Sequence, residues 1–337
     1  MNNYFLLVGF LLLSTSSYSQ NIKNDSIKSF IDKSMELIQA NSIHTENLNE
    51  IKSELYHQSQ SISSIDEVAP LYKNVFKQLD DHPGALKYKG KTYGWDKPNQ
   101  GANAYLKEKI KIDKETHSQV IGKEIGYLRI PGNNDFAFKK VDSIANDITA
   151  HINSINSNQL KGWIIDLRLN TGGNMYPILL GLKEFIGNDV VFGGFRDARD
   201  EPTGNWEIKA QELWIDSVVL ERQTDLDFPI KAELPIVILT SCYTASAGEM
   251  TAISFIGRKK AFVVGEATAG YTTAVQGFQI NENAGINLST DFVVDRNLKI
   301  YKSNILPDFE VLGGDNFENL KDDSKIIKAL ELLEVNF

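Results

Sequence analysis

The residues best placed to do chemistry lie between Ile236 and Tyr271. The stretch opens on an apolar run, Ile236 to Leu239 behind Pro235, with the composition of a strand. It passes through Ala245, Ser246, Ala247 and Gly248 into a helical pattern that starts near Glu249. A serine held at a strand-to-helix turn exposes its hydroxyl beside the N–H groups of the helix start. Acyl transfer needs that pairing of an accessible oxygen with donors aimed at a developing oxyanion. The same position suits a helix N-cap, and for this stretch alone capping is the default reading. Cys242, the only cysteine, can form neither an internal disulfide nor a cysteine metal site. It has no cationic sequence neighbour to lower its pKa, and it reads as a small buried filler at the strand end.

A second informative stretch runs from Trp163 to Asn174. A buried strand ends in Asp166 and Arg168, then turns through Asn170, Thr171, Gly172 and Gly173. Two glycines after a strand let backbone approach a ligand closely and turn N–H groups toward it. Phosphate binding is a weak alternative, because no Lys-Ser/Thr closes the loop and no dinucleotide spacing is present. A plain turn would need no ligand at all.

The order Asp-Leu-Arg-x-Asn-x-Gly-Gly, then Ser-Ala-x-Glu after an apolar strand, then Val-Gly-Glu-x-Thr-x-Gly, resembles the C-terminal processing peptidase family. That family also holds the tail-specific proteases, the tricorn core protease and the retinoid-binding proteins of the retina. The likeness covers residues 124–312, and more loosely 64–82. Leu306-Pro307-Asp308 is similar to the family's closing Pro-Asp motif. The resemblance implies a ClpP/crotonase-like α/β core with Ser246 as nucleophile. It also implies an oxyanion hole from the N–H of Ala247 and that of Gly172 or Gly173. Where the tail-specific branch carries its lysine base, this chain has Tyr271. The tricorn-like branch takes a histidine from a helical cap, and Leu79-Asp80-Asp81-His82 resembles that pattern. His82 is thus implied as the base, at a helix end whose dipole favours an imidazolium. The other four histidines, His44, His57, His117 and His151, read as surface residues. Asp81 and Ser303 stand where the branch has orienting groups, and Glu249 matches its supporting glutamate. Neither a metal nor a cofactor is implied.

The elements that must position these residues follow from hydrophobic periodicity. Residues 20–86 read as a helical cap, with Ile27, Phe30, Ile31, Met35 and Ile38 on one face and Val75, Phe76 and Leu79 on another. Residues 87–123 read as a linker rich in Gly, Lys, Asn and Pro, too short for a PDZ domain with its own connections. Strands and helices alternate over 124–318, with helices expected at 136–155, 175–186 and 249–256, which argues for a mostly parallel sheet. Residues 319–337 read as a final amphipathic helix.

Residues 1–19 have the apolar core and small-residue cleavage site of a signal peptide, which predicts export to periplasm, envelope or medium. The net charge of −9 argues against nucleic acid and anionic lipid as partners. Beyond the leader no apolar run is long enough for stable membrane insertion. The sequence therefore predicts an exported serine-type peptidase acting on peptides or proteins, its oligomeric state open. The alternative is a catalytically weak relative that binds an apolar ligand or a peptide.

Overall fold

The computed structural model describes residues 24–95, 98, 101 and 103–335. The leader expected at 1–19 lies outside them. Among the described residues no helix is long and apolar enough to cross a membrane.

The strand Ile236–Thr240 is buried at all five positions, which fits its unbroken apolar run. Such a run belongs to a parallel sheet covered on both faces. It lies between Gly162–Asp166 and Ala261–Gly265, parallel to both. Ile125–Arg129 extends the parallel order, His117–Ile121 closes one edge antiparallel, and Phe309–Glu310 closes the other. Alternate side chains serve opposite faces, as the period of a strand requires. Ile236 and Ile238 pack with Ile148, Ile152 and Leu179 from Val141–Ile155 and Tyr176–Gly181, and with Ile253 from Ala247–Phe255. Val237 and Leu239 pack with Ile326, Ala329 and Leu333 of the C-terminal helix Ser324–Val335.

A second sheet of nine strands is antiparallel, and its spine is Ala284–Asp295. The cap helices Asp25–Asn41, Leu48–Gln58 and Tyr72–Gln78 lay their apolar faces on this sheet, against Leu86, Tyr88, Ile286 and Leu288. The cap is thus built into the second sheet.

The stretch expected as a linker is largely structured. Ala85–Tyr88 and Lys91–Gly94 form a hairpin whose first strand pairs with the spine. Its turn residues Lys89 and Gly90 have φ of 47° and 76°, the twisted two-residue turn that suits a hairpin. Ala104–Ile112 is a helix, and His117 sits on the edge strand rather than in a loop. The helix expected from Phe136 starts at Val141, because the Asp135 carboxylate holds the N–H groups of Lys139 and Lys140 in a turn. The helix expected over 175–186 breaks at Leu182 into Tyr176–Gly181 and Lys183–Ile186.

Arg168 is fully buried and joins the core to the C-terminal helix. Its guanidinium reaches Asp166 at 2.6 Å, Asp323 at 2.7 Å and Asp315 at 2.8 Å. The ring of Phe317 lies 4.4 Å from it. Lys325 bridges Asp315 to Glu266, which follows the neighbouring strand. Removing one partner of such a network strands the others as buried charge. Arg168→Ala is therefore expected to lower the unfolding free energy by about 3–5 kcal/mol, read from urea denaturation; a loss under about 1 kcal/mol would contradict this account.

Candidate active site

Two turns meet at the C-terminal ends of the central parallel strands, where open α/β sheets hold their ligands. One follows Gly162–Asp166 and carries Gly172 and Gly173. The other follows Ile236–Thr240 and carries Ser246. Ser246 stands just before the helix Ala247–Phe255 with φ 50° and ψ −115°, a region that costs a non-glycine residue about 1–3 kcal/mol. Hydrogen bonds on both sides hold it there. The N–H of Ala245 donates to the carbonyl of Asn170 at 3.0 Å, and that of Met250 donates to the carbonyl of Ser246 at 2.8 Å. Ser246 also forms a capping box with Glu249, whose Oε2 accepts the Ser246 N–H at 2.9 Å. Ser246 therefore occupies the N-cap position that the sequence offered.

Gly172 packs directly on this serine. A Cβ at Gly172 would stand 2.9 Å from Ser246 Cβ and 3.5 Å from its Oγ, and φ there is 109°. No larger residue fits that approach. Ala247 is the first helical residue, so its N–H has no acceptor one turn back and is available as an oxyanion donor. The Gly172 N–H donates to Asn170 Oδ1 at 3.1 Å. Of the two glycines, only Gly173 has an N–H without a hydrogen bond among the described residues.

His82 comes from the cap. The helix Tyr72–Gln78 has ended, and Asp80 at φ 54° turns the chain. His82 lines a cavity of about 820 Å³ together with Ser246, Thr171, Thr268, Tyr271 and Asn304. The imidazole ring lies 4.0 Å from the ring of Tyr271 and 6.0 Å from that of Trp95, centroid to centroid. His82 and Ser246 thus line one cavity.

Two expected orienting groups act elsewhere. Asp81 is fully buried and points its carboxylate away from the imidazole's service: Oδ1 accepts Ser289 Oγ at 2.7 Å and the Gly84 N–H at 3.0 Å, and Oδ2 accepts the Ser289 N–H at 3.2 Å. Asp81 thereby pins the His82 turn to the spine strand. Gly84 permits this, because a Cβ there would fall 2.5 Å from Asp81 Oδ2. Ser303 is exposed, and what it offers is its carbonyl, which accepts Thr272 Oγ1 at 2.9 Å. Adjacent side chains diverge and a surface hydroxyl stays solvated, which accounts for both departures.

Glu249 supports the site more extensively than its helix position suggests. Fully buried, it accepts hydrogen bonds from the N–H groups of Ser246, Gly270 and Tyr271 and from Thr268 Oγ1. Burial pushes its pKa up to about 7, while these donors pull the other way. The Cys242 thiol is pushed up to about 12, first by burial and then by the charge of Glu266, so it stays protonated and is no competing nucleophile. Sequence reasoning missed Thr268, Asn304 and the ring contact of Tyr271. The last had a visible signal, since Tyr271 stood at the position expected to carry a base.

The chain is similar to known proteins. The pattern of Peptidase family S41 matches residues 124–311, more than half of the chain. A nisin-resistance protein of Lactococcus lactis subsp. lactis is 26% identical over 263 residues, covering 77% of this chain and 75% of that protein. A carboxy-terminal-processing protease of Bartonella bacilliformis is 25% identical over 198 residues; the match covers 59% of this chain and only 40% of that protease. Among solved structures, a lipoprotein from Streptococcus agalactiae shares the fold with a TM-score of 0.63 at 20% identity, covering 91% of this chain and 96% of that one.

The Glu249 carboxyl has a checkable consequence. Its folded pKa of about 7 stands above the ordinary value of 4.5. Between the two, the folded chain keeps a proton that the unfolded chain has released. Its contribution to stability is full below pH 4.5 and is lost as pH rises to about 7. Urea midpoints over that range should fall more steeply for wild type than for Glu249→Gln, which does not titrate. Equal slopes would show that Glu249 ionises normally.

Proposed function

The chain belongs to peptidase family S41, and we propose on that premise that it is an exported serine-type peptidase using Ser246 as nucleophile and His82 as general base. The observation that carries the reading is the setting of Ser246: an energetically costly turn, packed on Gly172, opening into the cavity that His82 also lines.

In this mechanism a peptide carbonyl enters over Ser246 with its oxygen toward the N–H of Ala247 and the Gly172–Gly173 turn, where Gly173 has the open donor. His82 accepts the hydroxyl proton as Ser246 Oγ attacks. The negative charge that forms on the carbonyl oxygen is met by these fixed N–H dipoles. Collapse breaks the C–N bond, and His82 returns its proton to the leaving amine. Water, deprotonated by the same imidazole, then releases the acyl group and regenerates Ser246. The first transfer needs His82 and Ser246 within about 3 Å of each other.

A polypeptide substrate is supported by the likeness to a carboxy-terminal-processing protease. Export is supported by the leader pattern of residues 1–19 and by the fold shared with a lipoprotein. The working division is a cap over 20–86, a linker over 87–123, the catalytic core over 124–318 and the C-terminal helix over 319–337.

A fluorophosphonate probe is expected to label Ser246 of wild type, with no labelling of Ser246→Ala. His82→Ala should slow labelling, and casein hydrolysis should fall by about 10⁴-fold or more in either variant. Wild type that stays unlabelled while binding peptide tightly would point to a carrier instead.

A further inference from the structure

The imidazole of His82 must present one edge to Ser246, and a turn at the end of a cap helix does not by itself fix the plane of a ring. Asp81 fixes the backbone of that turn on Ser289. The ring is met by Tyr271, whose centroid lies 4.0 Å away at an interplanar angle of 45°. Trp95 meets it edge-on from 6.0 Å. Tyr271 is itself held on both flanks. Its N–H donates to Glu249 Oε2 at 2.7 Å, and the N–H of Gly270 donates to Glu249 Oε1 at 2.8 Å. The next residue, Thr272, is fully buried with its hydroxyl on the carbonyl of Ser303. Glu249 Oε2 also accepts the N–H of Ser246. One carboxylate oxygen thus fixes the backbone of the nucleophile and the backbone of the residue packed on the base.

Resting on the Ser246–His82 reading above, we infer that Tyr271 is the positioning residue of His82: its ring sets the imidazole plane from the core side, and Glu249 fixes Tyr271 relative to Ser246. The contact is one between rings, and Tyr271→Phe keeps the ring. The contact is also where the cap meets the core at the site, joining a residue carried by the second sheet to one tied to the parallel sheet. A misplacement near 1 Å between reacting groups costs about 10²-fold in rate, and that is the scale expected when the ring is removed. Every substitution at 271 except proline keeps the N–H that Glu249 needs, so the loop should hold its course without the ring.

The test uses the full chain, with Tyr271→Ala and Tyr271→Phe labelled at Ser246 by an alkyl fluorophosphonate over a range of probe concentrations. Tyr271→Ala should lower the limiting labelling rate by about 10²-fold and leave the half-saturating concentration within about threefold. Tyr271→Phe should restore most of the rate. In imidazole NMR spectra, the His82 signals, assigned through His82→Ala, should lose a ring-current shift in Tyr271→Ala and keep it in Tyr271→Phe. The inference is overturned if Tyr271→Ala labels at the wild-type rate, if the loss lies in the half-saturating concentration alone, or if Tyr271→Phe is as slow as Tyr271→Ala. A wild type that never labels overturns the peptidase reading and this one together, whereas an active wild type with an unimpaired Tyr271→Ala overturns this one alone.

Discussion

A carboxylate taken out of water loses several kcal/mol of hydration unless fixed donors replace it. Glu249 meets that demand with four donors drawn from the Ser246 turn and from the loop 268–271. The chain is therefore obliged to bring those two segments to one point. Once it has done so, the strained backbone of Ser246 has a reason to persist, because relaxing it would strand a buried acid. The hydrogen bonds to Glu249 offset both the cost of the serine's conformation and that of the buried acid.

The other half of the site obeys a different constraint. His82 belongs to a cap that packs on the antiparallel sheet, whereas Ser246 belongs to the parallel one. Asp81 and Gly84 together define where the cap's last turn touches the spine strand, and the tolerance there is set by a carboxylate with three donors and no room for a Cβ. The two halves meet through aromatic packing, a softer contact than the hydrogen bonds on either side.

The core was legible because it depends on short-range rules. The run Ile236–Thr240 announces a strand buried on both faces, and the small residues after it announce a tight turn. Pairing that turn with the Gly172–Gly173 turn was possible because ordered motifs carry spatial information that neither motif has alone. The connection 87–123 was misread because its hairpin turns through Lys89 and Gly90, where Asn-Gly would have signalled the geometry. The helix start at Val141 was hidden because Asp135 holds the preceding backbone through side-chain contacts that periodicity does not express. The roles of Asp81 and Ser303 could not be read at all, since each depends on which distant backbone lies opposite. Ser289, the partner of Asp81, is 208 residues away in sequence.

That separation bears on how the protein is made. A chain emerging from its amino terminus exposes the cap and His82 long before the spine strand exists to receive them. The cap helices have their own apolar faces but lack the sheet that covers them, so they must wait in a partly formed state. Ser246 appears next, still before the strand that anchors the Asp81 turn. Only after residue 289 has been added can the Asp81 turn dock and bring the imidazole to the cavity. The contact between the cap turn and the spine strand is thereby deferred until most of the polypeptide has been synthesised.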